Sequence, residues 1–302
     1  MLPKVDLGRT GLAVTRLGFG ALELRDVEVG GGRLSDESNA EQVLNAVLDA
    51  GINFIDTAPS YGRSEEFIGR FVAHRRSDYI LASKCGRAYR DNPPGGSEWS
   101  RAAIIDSVEQ SLKRLRTEYL DVLQLHGPSV ETVERYDCIN TLRTIQAQGK
   151  TRFIGVSAVL PQLATFIGWN VFDAFQIVYS ALEPEHEEAI TLAAQRGAGT
   201  IIRGGATKGA PVRASGRGHE FPVVRTRWVR SGLAALLEGC DPVETMLRYA
   251  LGHPCAHTFI VGTQNLTHLQ ANIRAVEKGP LAPELQAELR RRVRAALDSD
   301  ES

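Results

Sequence analysis

The chain has 302 residues, with 35 Lys plus Arg against 36 Asp plus Glu and a formal charge of −1. That balance argues against a nucleic-acid partner, because polyanion binders carry a visible basic excess. With 43% hydrophobic and 24% charged residues, the chain is not a disordered one. Its length fits two ordinary domains or one large α/β barrel, and composition alone does not choose between them.

No stretch near Met1 has the apolar core of a signal peptide, and no window holds the roughly 18 uninterrupted apolar residues of a membrane span. The expectation is a cytoplasmic protein with no membrane partner. Cys85, Cys138, Cys240 and Cys255 lie far apart and form no CxxC pair, so they read as ordinary thiols. His253, Cys255 and His257 have metal-like spacing, but Pro254 breaks any common helical face, and no metal is expected.

In chain order, residues 5–14 read as a β-hairpin around the Gly8 to Gly11 turn, capping the fold. A strand over 16–20 follows. Ser38 and Glu41 have capping-box spacing ahead of Val43, Leu44, Val47 and Leu48, which predicts a helix starting near Ser38. Strands are then expected over 53–56, 79–84, 119–126, 152–157, 174–177, 199–203 and 258–261. Between and after them, amphipathic patterns predict helices over 64–71, 101–115, 130–148, 160–167, 185–195, 242–251 and 266–276.

Eight strand–helix units predict a (β/α)8 TIM barrel spanning 1–302 as one domain, with an N-terminal β-hairpin cap over 1–14 and an extra C-terminal helix and tail over 284–302. No GxGxxG turn follows the first strand, which argues against a Rossmann domain. Residues 204–240 exceed an ordinary connection, and their glycines read as a functional loop rather than a packing element.

Chemistry in such a barrel sits at the C-terminal ends of the strands. There the chain places Asp56, Lys84, His126, Ser157, Gln176 and Arg203, a polar set that reads as an active site. Tyr61 follows Asp56 by five residues, and Pro59 and Gly62 allow a turn that swings its phenol over the mouth. A phenol ionises near pH 10 in water, so acid chemistry near neutrality asks for a buried ammonium beside it and a carboxylate to keep that ammonium charged. Lys84 and Asp56 are the right types. His126 can donate a hydrogen bond to a substrate carbonyl oxygen and orient it.

In these stretches the chain resembles an aldo-keto reductase: Leu7 to Gly11 with Leu17 to Gly20, Asn53 to Gly62 with Ser64 to Glu66, and Ser83-Lys84. Ser111 to Leu115, Tyr119 to Asp121, Leu125-His126, and Lys150 with Ile154 to Ser157 continue in the family's order. The resemblance implies a catalytic tetrad of Asp56, Tyr61, Lys84 and His126, with Tyr61 as general acid and hydride arriving from a nicotinamide. It places the nicotinamide carboxamide on Ser157 and Gln176, although Ala158 stands where the family has Asn. Arg203 falls where the family stacks an aromatic ring on the nicotinamide; it would either stack there or pair with an anionic substrate group. Gly204, Gly205 and Lys208 correspond to the pyrophosphate-wrapping segment.

Gly262, Thr263, His268 and Asn272 resemble the adenosine-phosphate site at the last strand and the start of its helix. The cofactor implied is NADP(H). NAD(H) stays open, because Gly262 and His268 stand where NADP-specific members have basic residues. Arg213, Arg217, Arg225, Arg227 and Arg230 read as a solvated face or a neighbourhood for cofactor phosphate. The implied activity interconverts a small-molecule carbonyl and an alcohol; a sugar or secondary-metabolite alcohol dehydrogenase and a nucleotide-binding regulatory subunit are the competing readings. Leu24, Tyr89, Trp99, Phe221 and Trp228 lie in the loops expected to line the pocket. Neither substrate nor oligomeric state is set by the sequence, and a monomer is compatible with it.

Overall fold

A computed structural model describes residues 2–25, 36–87, 98–206 and 222–298. Strands β1 (Lys4–Asp6) and β2 (Ala13–Thr15) form the antiparallel hairpin, with Lys4 opposite Thr15. Eight parallel strands then close a barrel: β3 (Leu17–Gly20), β4 (Phe54–Asp56), β5 (Ile80–Cys85), β6 (Leu120–His126), β7 (Thr151–Ser157), β8 (Ala174–Val178), β9 (Gly199–Arg203) and β10 (Thr258–Val261). Each strand pairs with the next in sequence, and β10 closes on β3 through Ile260 opposite Gly18. This is the expected (β/α)8 barrel.

The helices are α1 (Glu37–Asp49), α2 (Ser64–Phe71), α3 (Arg101–Leu115), α4 (Val130–Arg135), α5 (Cys138–Ala147) and α6 (Gln162–Trp169). They continue with α7 (Glu187–Gln195), α8 (Pro222–Arg230), α9 (Leu233–Leu236), α10 (Pro242–Leu251), α11 (Leu266–Glu277) and α12 (Pro283–Asp298). Helix α3 shows why the pattern works: Ile104, Val108, Leu112 and Leu115 are buried on one side, and the Ser100 hydroxyl caps the start by accepting from Ala103 N.

Three expectations are corrected. Helix α1 is capped by Asp36, whose carboxylate accepts from Asn39 N at 2.7 Å, so Ser38 falls inside the first turn. The helix expected over 130–148 is two, because Asp137 adopts φ 48° between α4 and α5. Finally, 204–240 is not loop throughout: α8 and α9 bury Val224, Trp228 and Leu233, and Arg292 of α12 donates to Gly232 O. The run of arginines expected in this segment is split accordingly, with Arg225, Arg227 and Arg230 on α8. Lys208, Arg213, Arg217, Phe221 and Tyr89 lie outside the described residues.

Side chains alternate between the two faces of a strand, so residues two apart share a face. Inside the barrel, Phe54, Ala82, Val122, Ala174 and Ile201 form an apolar cluster with Leu7, Leu12 and Val14 of the hairpin segment. The hairpin thereby plugs one end of the barrel. Two residues further along the same five strands stand Asp56, Lys84, Gln124, Gln176 and Arg203. One step of the strand repeat converts a dry apolar layer into a polar one, at the end where the strands stop.

Helix α2, which starts three residues after Tyr61, packs against α3 where Gly69 meets the end of α3: a Cβ on Gly69 would stand 2.0 Å from Arg114 O. No side chain fits there without moving a helix. Gly69→Ala should destabilise the fold by about 1–3 kcal/mol, the usual cost of overpacking, read as a lower denaturation midpoint; an unchanged midpoint would contradict this close approach.

Candidate active site

The polar layer is organised by one carboxylate. Lys84 Nζ donates to Asp56 Oδ1 at 2.5 Å and to Thr57 O at 2.9 Å. The other Asp56 oxygen accepts from Gln124 Nε2 at 3.0 Å and Gln176 Nε2 at 2.8 Å. The Lys84 side chain is 0% exposed and that of Asp56 is 2% exposed. Burial works against the lysine's charge, but Asp56 and then Tyr61 outweigh it, and the ammonium is held above its ordinary pKa.

Tyr61 reaches this pair through a tight turn: its N–H donates to Ala58 O at 3.0 Å and its carbonyl accepts from Ser64 N at 3.1 Å. The Ser64 hydroxyl pins the turn by donating to Ala21 O at 2.9 Å. The tyrosine ring then lies over Lys84, with Nζ 4.9 Å from the ring centroid. Behind it, buried Glu65 accepts from the Ser83 hydroxyl at 2.6 Å and from Arg114 Nε at 2.9 Å, which ties α2 to β5 and α3. The Ser64 to Glu66 stretch singled out in the sequence is therefore a brace for the turn.

His126 meets Tyr61 edge to face, with ring centroids 5.8 Å apart and planes at 85°. Burial, then the positive charges of Lys84, Arg87 and Arg203, push its pKa down to about 2. The imidazole is therefore neutral and carries one N–H. Ser60 Oγ lies 3.4 Å from Nδ1; with that hydroxyl donating, the ring proton sits on Nε2. Arg87 Nε donates to the His126 carbonyl at 2.9 Å, and a Cβ on Gly127 would stand 2.8 Å from Arg87 Nη2, so the absence of a side chain at 127 makes room for the guanidinium.

Next to the tetrad positions, Ser157 Oγ donates to Gln176 Oε1 at 3.1 Å, joining β7 and β8 to Asp56 through the glutamine. Ala158 is buried and offers only its backbone, donating to Gln176 O at 3.2 Å. Arg203 ends β9 on the interior face, within electrostatic reach of Tyr61, Glu183 and Asp56. Burial lowers its pKa from the ordinary arginine value. Gly204 and Gly205 follow it directly.

A second group lies at β10 and α11. Gly262 is exposed, Thr263 is buried, and Thr263 Oγ1 accepts from Asn265 N at 3.0 Å. Asn265 caps α11 by accepting from Thr267 N and His268 N. His268 is exposed and Asn272, one turn on, is buried. The structure thus joins Asp56, Tyr61, Lys84, His126, Ser157, Gln176 and Arg203 at one mouth and sets Gly262, Thr263, His268 and Asn272 along the rim beside β9 and β3. His253 and His257 serve the scaffold instead: His253 Nε2 lies 3.2 Å from Glu187 O, and His257 Nδ1 accepts from Thr200 N at 3.0 Å.

Gln124 is the residue that reading strand ends overlooks. It is fully buried and bonds the central carboxylate, and its position two before His126 was the available signal. Arg87 and Asn265 were also missed, since one acts through a backbone carbonyl and the other through a helix cap.

The described residues contain no helix long and apolar enough to cross a membrane. The family model for the aldo/keto reductase family matches residues 16–292. The chain is 28% identical over 296 residues to the uncharacterized oxidoreductase YqkF of Bacillus subtilis (strain 168), covering 93% of each chain. It is 34% identical over 190 residues to the aldo-keto reductase YhdN of the same organism, covering 61% of this chain and 56% of that one. Among solved structures it is similar to the holo form of aldo-keto reductase AKR11C1 from Bacillus halodurans, with a TM-score of 0.81, 27% identity, and 98% and 96% of the two chains covered. With a closed barrel, a buried Lys–Asp pair under a tyrosine and a family match over nearly the whole length, the chain belongs to the aldo/keto reductase family of oxidoreductases.

Proposed function

We propose that this protein interconverts a carbonyl and an alcohol with NADP(H) as hydride carrier, through Asp56, Tyr61, Lys84 and His126. The observation that carries this reading is the fully buried Lys84–Asp56 pair facing the Tyr61 ring, with a neutral His126 at the ring's edge.

The residues present suit a nicotinamide dinucleotide. Ser157 with Gln176 offers a hydroxyl and an amide at the mouth. The capped start of α11, beside Thr263, His268 and Asn272, suits the phosphate-bearing end. Gly204, Gly205 and Lys208 lie between these ends in the chain and are assigned to the pyrophosphate. When bound, the nicotinamide supplies the hydride for carbonyl reduction and takes it up for alcohol oxidation.

The chain's own groups handle the proton. In reduction, the Tyr61 hydroxyl gives its proton to the carbonyl oxygen as charge develops there, and Lys84 stabilises the phenolate left behind. Asp56 keeps Lys84 charged, and Gln124 and Gln176 keep Asp56 fixed. The His126 N–H donates to the same substrate oxygen and sets its direction, and because the ring is neutral the proton itself is left to Tyr61. In oxidation the phenolate takes the alcohol proton. A complete proton-handling set built on a buried ion pair supports an enzyme over a nucleotide-binding regulatory subunit.

Tyr61→Phe should lower kcat by about 10²- to 10⁴-fold, the usual share of a general acid, while NADPH titrated by protein fluorescence quenching binds as before. Wild-type kcat in that variant would overturn the assignment. The same titration on the wild-type protein should give tighter binding for NADPH than for NADH; tighter NADH binding would reassign the cofactor and the role of His268.

A further inference from the structure

The barrel mouth holds more positive charge than its tetrad uses. Lys84, Arg87 and Arg203 all act on His126. Lys84 is matched by Asp56 at 2.5 Å, but the other two have no such partner among the described residues. Arg203 makes no hydrogen bond or ion pair to any described residue, although it is largely buried and stands among Tyr61, Asp56 and Glu183. Arg87 spends Nε on a carbonyl oxygen and lies over Gly127, and no carboxylate among the described residues pairs with it.

An unmatched guanidinium in a partly desolvated site is costly to keep, and a bidentate oxyanion is the group that satisfies it best. The strand repeat aims Arg203 into the mouth: Ile201, two residues earlier, belongs to the apolar cluster inside the barrel. Arg87 comes from the other side, just beyond β5, bound to the end of β6. Beside Arg87 the Trp99 ring lies against Gly86, where a Cβ would stand 2.1 Å from the indole. The mouth thus offers an apolar wall, a proton donor and two arginines.

We propose that the substrate is an anionic carbonyl compound, bearing a carboxylate a few bonds from the reacting carbon, and that Arg203, assisted by Arg87, receives this group. The proposal rests on the carbonyl–alcohol reading above and adds the substrate class to it. It also assigns Arg203 to substrate rather than to stacking on the nicotinamide ring. Carboxylate and guanidinium would pair with the carbonyl oxygen still held between Tyr61 and His126.

The test compares 4-carboxybenzaldehyde with its methyl ester, methyl 4-formylbenzoate, which share ring and aldehyde and differ in charge. With saturating NADPH, kcat/KM for the acid should exceed that for the ester by at least about tenfold, the factor that about 1.4 kcal/mol supplies. The ratio should shrink on adding salt, because the contribution of exposed Arg87 at the rim is screened. It should fall toward one in Arg203→Gln, fall less in Arg87→Gln, and persist in Arg203→Lys, which keeps the charge and controls for misfolding. A wild-type ratio near one would overturn the proposal. So would an Arg203→Gln protein whose ratio is unchanged while its affinity for NADPH drops, since that places the guanidinium on the cofactor. If neither aldehyde turns over, the carbonyl–alcohol reading fails separately. Calorimetric titration of the NADP⁺-saturated protein with 4-(hydroxymethyl)benzoate and its methyl ester then decides anion preference alone, equal affinity contradicting it.

Discussion

Everything at the mouth of this barrel depends on one buried ion pair. Taking an ammonium and a carboxylate out of water costs several kcal/mol per ion even after relaxation, and their attraction offsets this only with good geometry and with the remaining lone pairs and protons satisfied. Lys84 and Asp56 meet both conditions, through the 2.5 Å contact, the Thr57 carbonyl and the two glutamine amides. Each satisfying group is itself held: Gln176 by Ser157, Thr57 by Ser64, and Ser64 by Ala21. The pair therefore fixes β4, β5, β6 and β8 relative to one another and leaves Lys84 with its charge turned toward Tyr61.

The barrel makes this arrangement affordable by separating two layers. Phe54, Ala82, Val122, Ala174 and Ile201 fill the interior below, and Leu7, Leu12 and Val14 close the far end against water. The polar layer sits on a packed floor, so its dipoles are held without needing solvent to orient them. That preorganisation is what the proposed acid chemistry of Tyr61 requires, and it accompanies an imidazole that stays neutral among three cations.

Much of this was legible in the sequence because strand alternation is a strict period of two. Once the strands were placed, Asp56, Lys84, His126, Ser157, Gln176 and Arg203 had to gather at one rim. The same rule points to Gln124, which sits two residues before the end of β6 and so on the inward face of that strand. Other features were not legible. Asp36 and Ser38 are equally good caps by type, and only the path of the chain into α1 selects Asp36. The break at Asp137 and the packing of α8 and α9 depend on tertiary neighbours, which local pattern does not report. That Arg203 has no hydrogen-bond or ion-pair partner among the described residues is likewise a property of the assembled mouth.

The central claim is that the Lys84–Asp56 pair drives proton transfer at Tyr61 rather than merely holding the barrel together. Single-turnover oxidation of bound NADPH by an aldehyde, followed by absorbance in wild type, Lys84→Met and Asp56→Asn, separates the two roles. The account predicts variants that retain NADPH binding and lose the chemical step by at least about 100-fold. Folded variants that oxidise NADPH at the wild-type rate would contradict it.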